Sequence, residues 1–196
     1  MKNDTRPLQA KQTSLFGKEA GPQFISSNTG LALREETPDD IVAITCVTVA
    51  AFMHLKVSSQ TEHYILHALR KAGALTLSLV AEMDGQVVGH VAFSPVTISD
   101  GTEAWFGLGP ISVLPGHQRQ GIGGALIREG VKRLKAMGAK GCVLVGDPGY
   151  YKKHRFRNPP DLIVEGVPPD VFMTMPLADT VPRGTVTFHE GFLATE

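Results

Sequence analysis

Net charge is missing from this chain: nineteen lysines and arginines are matched by nineteen aspartates and glutamates. That balance removes the broad basic field of a general nucleic-acid binder, so no nucleic-acid partner is expected. Cysteine is scarce. Cys46 and Cys142 are the two in 196 residues, with no C-x-x-C pair. Neither a disulfide framework nor a thiolate metal site is indicated, and a reducing, cytoplasmic setting is the simpler reading. Long apolar runs are lacking too. The longest, Ile41 to Met53, is broken by Thr45 and Thr48, and Met1 to Ala10 is polar, which argues against a membrane span or a signal peptide. His63 and His67 have a zinc-compatible i, i+4 spacing, but Tyr64 stands where H-E-x-x-H needs Glu and no third ligand is evident. Both read as surface histidines, and no metal is expected.

What is present is a globular composition, 42% hydrophobic with 21 glycines and 13 prolines, at the length of one domain. Residues 1–30 carry no apolar period and read as a mobile or loosely packed leader. Residues 31–196 read as a single domain, with a core over 31–157 and C-terminal strands over 158–196. A strand near Leu31 to Arg34 leads to Thr37-Pro38-Asp39-Asp40, a helix start, and helices are expected over Pro38 to His54 and Glu62 to Lys71. Leu75 to Glu82 and Gln86 to Pro95 form a hairpin about Asp84-Gly85. Ala104 to Val113 is a strand whose Gly107, Gly109 and Pro110 predict a bulge or bend.

From Gly121 to Met137 a helix is expected, with Ile122, Leu126, Ile127, Val131, Leu134 and Met137 on its apolar stripe and Arg128, Glu129, Lys132 and Lys135 facing water. Cys142 to Val145 is a short buried strand, which closes a β-α-β unit. A helical turn over Tyr150 to His154 and strands over Val171 to Met175 and Thr185 to Phe188 complete the order. The fold class is therefore α/β, a mixed and mostly antiparallel sheet with helices on both faces.

The chemistry concentrates between Leu108 and Gly124, where a strand and a glycine-rich loop feed a helix N-terminus. Unpaired amides and the positive helix end converge there, Arg119 adds a mobile charge, and a pyrophosphate is the fitting anion. A Walker loop fails, because Ile122 and Gly123 occupy the places of Lys and Ser/Thr. A dinucleotide fingerprint is weak, because Leu126 stands at its third glycine.

Gln118-Arg119-Gln120-Gly121-Ile122-Gly123 does resemble the Q/R-x-x-G-x-G/A acyl-CoA loop of the GCN5-related N-acetyltransferase (GNAT) family. Ile111-Ser112-Val113-Leu114-Pro115 is similar to that family's fourth strand, and Tyr151-Lys-Lys-His-Arg-Phe156 to its Tyr-x-x-x-Gly-Phe segment. Gly146-Asp-Pro-Gly-Tyr-Tyr151 and Gly184 to Phe192 resemble the YhbS-type subgroup of small bacterial acetyltransferases. The resemblance covers residues 31–157. It implies a β-α-β acyl-CoA-binding core, with the backbone of Ile111, Ser112 and Val113 along the pantetheine arm of acetyl-CoA. The loop Gln118, Arg119, Gln120, Gly121, Ile122, Gly123 and Gly124 would then hold the pyrophosphate, and Tyr151 would serve as the acid in direct transfer to a primary amine.

The resemblance leaves that acceptor unidentified, a small-molecule or peptide amine. A non-catalytic CoA-binding sensor or scaffold is the alternative. In place of the family glycine stands Arg155, which makes the turn after Tyr151 a point of departure. No base stands out among His90, Glu103 and Asp147. The basic run Lys152, Lys153, Arg155 and Arg157 is a candidate aid to phosphate binding, and the C-terminal strands could pair two copies into a homodimer. In a thermal-shift screen, CoA is expected to raise the melting temperature while ATP and NAD leave it unchanged; a ligand at about a hundred times its Kd stabilises by roughly 2.7 kcal/mol.

Overall fold

A computed structural model describes residues 30–53, 55, 58–179 and 181–196; most of the expected leader and His54 therefore lie outside the described residues. The described strands form one eight-stranded sheet in the order β1-β2-β3-β4-β5-β7, with β8 joined to β3 and β6. They are β1 (Leu31–Glu35), β2 (Leu77–Met83), β3 (Gln86–Ile98), β4 (Trp105–Val113), β5 (Gly141–Val145), β6 (Leu162–Ile163), β7 (Phe172–Pro176) and β8 (Gly184–Phe188). Helices α1 (Ile41–Phe52), α2 (Glu62–Lys71), α3 (Ile122–Ala136) and the short α4 (Pro148–Tyr151) complete the chain. The expected element order holds, with β6 added; a two-residue strand is too short to leave a period in the sequence.

Strand β2 shows why the middle of the sheet is apolar without alternation. Leu79 and Ala81 face the core that holds Ile122, Leu126 and Ile127 of α3. Val80, between them, packs with Ile44 of α1 and Leu66 of α2. Helices thus cover both faces. Val91 of β3 pairs with Ile111 of β4, whereas Phe93 pairs with Leu108. The extra residue of this bulge lies in β4, at Gly109-Pro110, as those two residues foretold. Gly130 is required on α3 because a Cβ there would run into the Phe93 ring.

Two expected exposures are reversed. Met137 is 58% exposed, since α3 ends before it, and Glu129 is 8% exposed; Arg133 Nε donates to the Glu129 carboxylate at 2.8 Å. Of the C-terminal strands, β8 is flanked on each side over part of its length. Val96–Ile98 of β3 take one side of β8, and Leu162 and Ile163 take the other. No helix among the described residues is long and apolar enough to cross a membrane.

The entry to α1 is fixed by charge. Arg34 Nη1 and Nη2 donate to the Asp40 carboxylate at 2.6 and 2.8 Å. The Thr37 N–H and hydroxyl donate to Asp40 Oδ2 at 2.7 and 2.9 Å. Led by the Arg34 hydrogen bonds, these contacts lower the Asp40 pKa from 3.8 to about 2. Because the folded value is depressed, this stabilisation is complete above 3.8 and is lost as pH falls through about 2. Urea unfolding of Asp40→Asn should show lower stability than the parent at pH 7, with the gap closing on acidification toward pH 2. A gap independent of pH would remove the ion pair as its cause.

Candidate active site

Strands β4 and β5 run parallel and pair through Trp105↔Gly141, Phe106↔Cys142 and Gly107↔Val143. Among the described residues the pairing goes no further. Beyond it the strands part, and a cleft of about 1270 Å³ opens between Leu108–Val113 on one side and Val145–Asp147 on the other. Gly107 sits at the fork under β8, where a Cβ would come within 2.8 Å of the Phe188 ring.

The loop into α3 supplies the donors. Arg119 and Gly121 both adopt left-handed backbone, φ 61° and 88°, which turns successive N–H groups toward one concavity. The first backbone bond closing α3 runs from Ala125 N–H to Gly121 O at 2.9 Å. Among the described residues, the N–H groups of Arg119 to Gly124 have no acceptor. Ile111, Ser112, Val113, Gln118, Arg119, Gly121, Ile122, Gly123 and Gly124 all line the cleft. Gln118 also ties the loop to β4, its side-chain amide donating to Val113 O at 3.0 Å. The Gln120 side chain does not line the cleft; it turns back to donate to Gly116 O at 3.1 Å, and its part is left to its backbone.

Tyr151 reaches the same cleft from α4, packed edge-on to Tyr150 and Phe156 and against Gly146, where a Cβ would strike its ring. Burial pushes its phenol well above the ordinary value, with Tyr150 and Asp147 adding to the effect. The turn that follows is glycine-like despite its side chain: Arg155 takes φ 69°, ψ 9°, the conformation a glycine would favour, at about 1–2 kcal/mol of steric cost. His90 is fully buried and Glu103 lies on an exposed turn. Of the three base candidates, Asp147 alone borders the cleft, and its carboxylate accepts from the Gly149 N–H at 2.9 Å.

Several lining residues went unread in the sequence. Arg128, expected in solvent, comes one helical turn after Gly124, and its Nη1 lies 3.2 Å from the place of a Gly124 Cβ. The i, i+4 spacing was the available signal. Tyr150 brings its hydroxyl 2.5 Å from the place of a Gly123 Cβ, and burial raises its pKa. His154 borders Gly124, its pKa lowered by burial and then by Arg128 and Lys153. Lys152, Lys153, Arg155 and Arg157 are not among the lining residues; Arg157 instead donates to Phe156 O and Lys152 O at 2.7 and 3.0 Å. His63 and His67 are on α2, and no group of three His, Cys, Asp or Glu able to hold a metal occurs among the described residues.

Residues 45–156 match the model of the Acetyltransferase (GNAT) family. The chain belongs to the GNAT acetyltransferase family. Over 127 residues it is 36% identical to the uncharacterized N-acetyltransferase YhbS of Escherichia coli K12, covering 64% of this chain and 73% of that protein. The crystal structure of YhbS in complex with CoA superimposes with TM-score 0.78 at 32% identity, over 89% of this chain and 98% of the other. A GNAT acetyltransferase from Brucella melitensis in complex with acetyl-CoA gives TM-score 0.75 at 47% identity, over 84% and 99%. The expected GNAT-like sheet is thereby established, and the protein is an acyltransferase by family.

An amide-lined concavity at a helix N-terminus should bind a diphosphate. Titrating inorganic pyrophosphate into labelled protein should shift the amide resonances of Arg119 to Gly124, and Gly123→Glu should abolish the shifts through bulk and charge. Shifts spread evenly over the surface would exclude a site at this loop.

Proposed function

We propose that this protein transfers the acetyl group of acetyl-CoA to a primary amine of a small molecule or peptide by direct attack, as a single domain over residues 31–196. One observation carries the proposal: acceptor-free amides from Arg119 to Gly124 and the unpaired edge of β4 open into one cleft. The two polar parts of a CoA molecule need these features together. The α3 amides fit the pyrophosphate, with Arg119 and Arg128 as flanking cations, and the β4 edge at Ile111–Val113 fits the amide groups of the pantetheine arm. Free thiols at Cys46 and Cys142 suit a reducing, cytoplasmic setting.

Bound along β4, the thioester lies beside Tyr151. An amine that has lost its proton attacks the thioester carbon, and the departing sulfur needs a proton. Tyr151 holds one, because burial keeps its phenol protonated. A thiol has a pKa of about 8.5 and a phenol about 10, so proton transfer from Tyr151 aids a thiolate that is already a fair leaving group. General acid catalysis is worth about 10² to 10⁴-fold, whereas aligning two bound reactants reaches effective molarities of roughly 10⁵ to 10⁸ M. Alignment along β4 dominates.

Tyr151→Phe should lower kcat by about 10² to 10⁴-fold and leave the Kd for CoA, measured by calorimetry, unchanged. The parent's kcat should show no descending limb below pH 10, since a raised phenol pKa extends the proton-bearing form upward from 10.0. An unchanged kcat in Tyr151→Phe would remove this residue from the reaction. Binding of CoA with no thiol release from any amine would mark a sensor instead of an enzyme.

A further inference from the structure

The wall of the cleft opposite the α3 loop is built from three pieces distant in sequence. They are the end of α1, the start of α2, and the last strand with the residues after it. Phe52, Leu55, Ile65, Phe188 and Phe192 give this wall an apolar surface. The C-terminal turn is held on α2, with Gly191 so close to Leu69 that a Cβ would come within 3.1 Å of it. Within the apolar surface stands one partly buried carboxylate. Glu62 Oε1 accepts from the Ser58 hydroxyl at 2.6 Å. Glu62 Oε2 is shielded from solvent and has no hydrogen-bond partner among the described residues.

A buried carboxylate oxygen without a donor is costly, and a cationic group that enters the cleft would relieve the cost. Glu165, exposed at the rim of the same cleft, adds charge of the same sign. The cationic side chains lining the described cleft, Arg119 and Arg128, belong to the α3 end. His189 gives no competing donor to Glu62 among the described contacts; its Nδ1 accepts from the Gly191 N–H at 3.0 Å. The cations of the cleft thus stand at the α3 end, while its carboxylates are Glu62 and Glu165 and, after β5, Asp147.

We propose that Glu62 is the counter-charge for the acceptor's ammonium group, and that the acceptor is a primary amine with an apolar body and no carboxylate beside the amine. This rests on the acetyl-transfer reading of the same cleft. The ammonium pairs with Glu62 on binding and gives its proton to solvent before attack. The phenyl or alkyl body lies against Phe52, Ile65, Phe188 and Phe192. An α-carboxylate on the acceptor would face Glu62 and Glu165 with like charge, and is selected against.

The test is a set of matched amines with acetyl-CoA, read by thiol release: 2-phenylethylamine against phenylalanine, tryptamine against tryptophan, and cadaverine against lysine. The amine of each pair that lacks the carboxylate should be preferred in kcat/KM. In Glu62→Gln the KM for the preferred amines should rise about 10 to 100-fold, the loss of one charged hydrogen bond. The KM for acetyl-CoA should stay within about two-fold, which also reports that the variant is folded, and the preference within each pair should shrink. Equal use of the carboxylated amines, or a preference that survives Glu62→Gln, overturns the assignment of Glu62 while leaving acetyl transfer intact. Thiol release with none of the amines, while CoA binds, overturns both together.

Discussion

The ladder between β4 and β5 stops after three residue pairs, and the site depends on that early stop. Parallel neighbours in a buried sheet normally continue to pair, because unpaired backbone N–H and C=O groups away from water are costly. Here β4 departs through the bulge at Gly109-Pro110, and proline has no N–H to leave unpaired. The loop after β4 adds amides that no carbonyl of α3 can reach, because the first turn of any helix lacks partners for them. Both sets of groups open into one cleft. A protein that leaves so much backbone polarity unused has kept it for a ligand of matching polarity.

The acceptor wall needs a different kind of restraint, since α1 and α2 are not tied to the sheet by backbone ladders. Polar side chains do this beneath the apolar packing. Arg70 of α2 donates to both Glu36 carboxylate oxygens at 2.8 and 2.9 Å, and Ser78 of β2 donates to the same carboxylate while contacting His90 Nε2 at 2.7 Å. Burial would raise the Glu36 carboxyl, but hydrogen bonds from His90, Arg70 and Ser78 outweigh it and hold the group well below the usual range. Burial in turn lowers the pKa of His90. On α1, Thr48 meets Ser112 of β4 at 3.2 Å. A buried network of this kind specifies one arrangement of helices on the sheet, and errors in it are expensive; within it His90 Nδ1 has no partner among the described residues.

Tyr150 and Tyr151 show how tertiary position divides adjacent identical residues. Tyr151 is packed behind β5 with Gly146 and Phe156 around its ring, whereas Tyr150 lies over Gly123 at the anion loop. The spacing to Phe156 selected Tyr151 in the sequence, and nothing there gave Tyr150 a place. Arg128 is a similar case. Its neighbours Glu129 and Lys132 made it part of a charged helix face, yet the helix turns Arg128 toward the loop and Glu129 into contact with Arg133. Charge alone cannot distinguish a residue facing water from one facing an anion site.

Local chemistry was enough to read the α3 loop, the β-α-β unit, the bulge in β4 and the family. In each case the necessary residues are close in sequence, and their meaning is set by backbone conformation and by the first turn of one helix. Which residues meet in the proposed acceptor wall was decided by the tertiary structure. Phe52, Glu62, Phe188 and Phe192 come from opposite ends of the domain, and they meet because β8 pairs with β3 beyond the fork and carries the last residues across to α2. No spacing rule spans that distance, since long-range strand pairing follows from packing of the whole sheet and leaves no periodic signal in either segment.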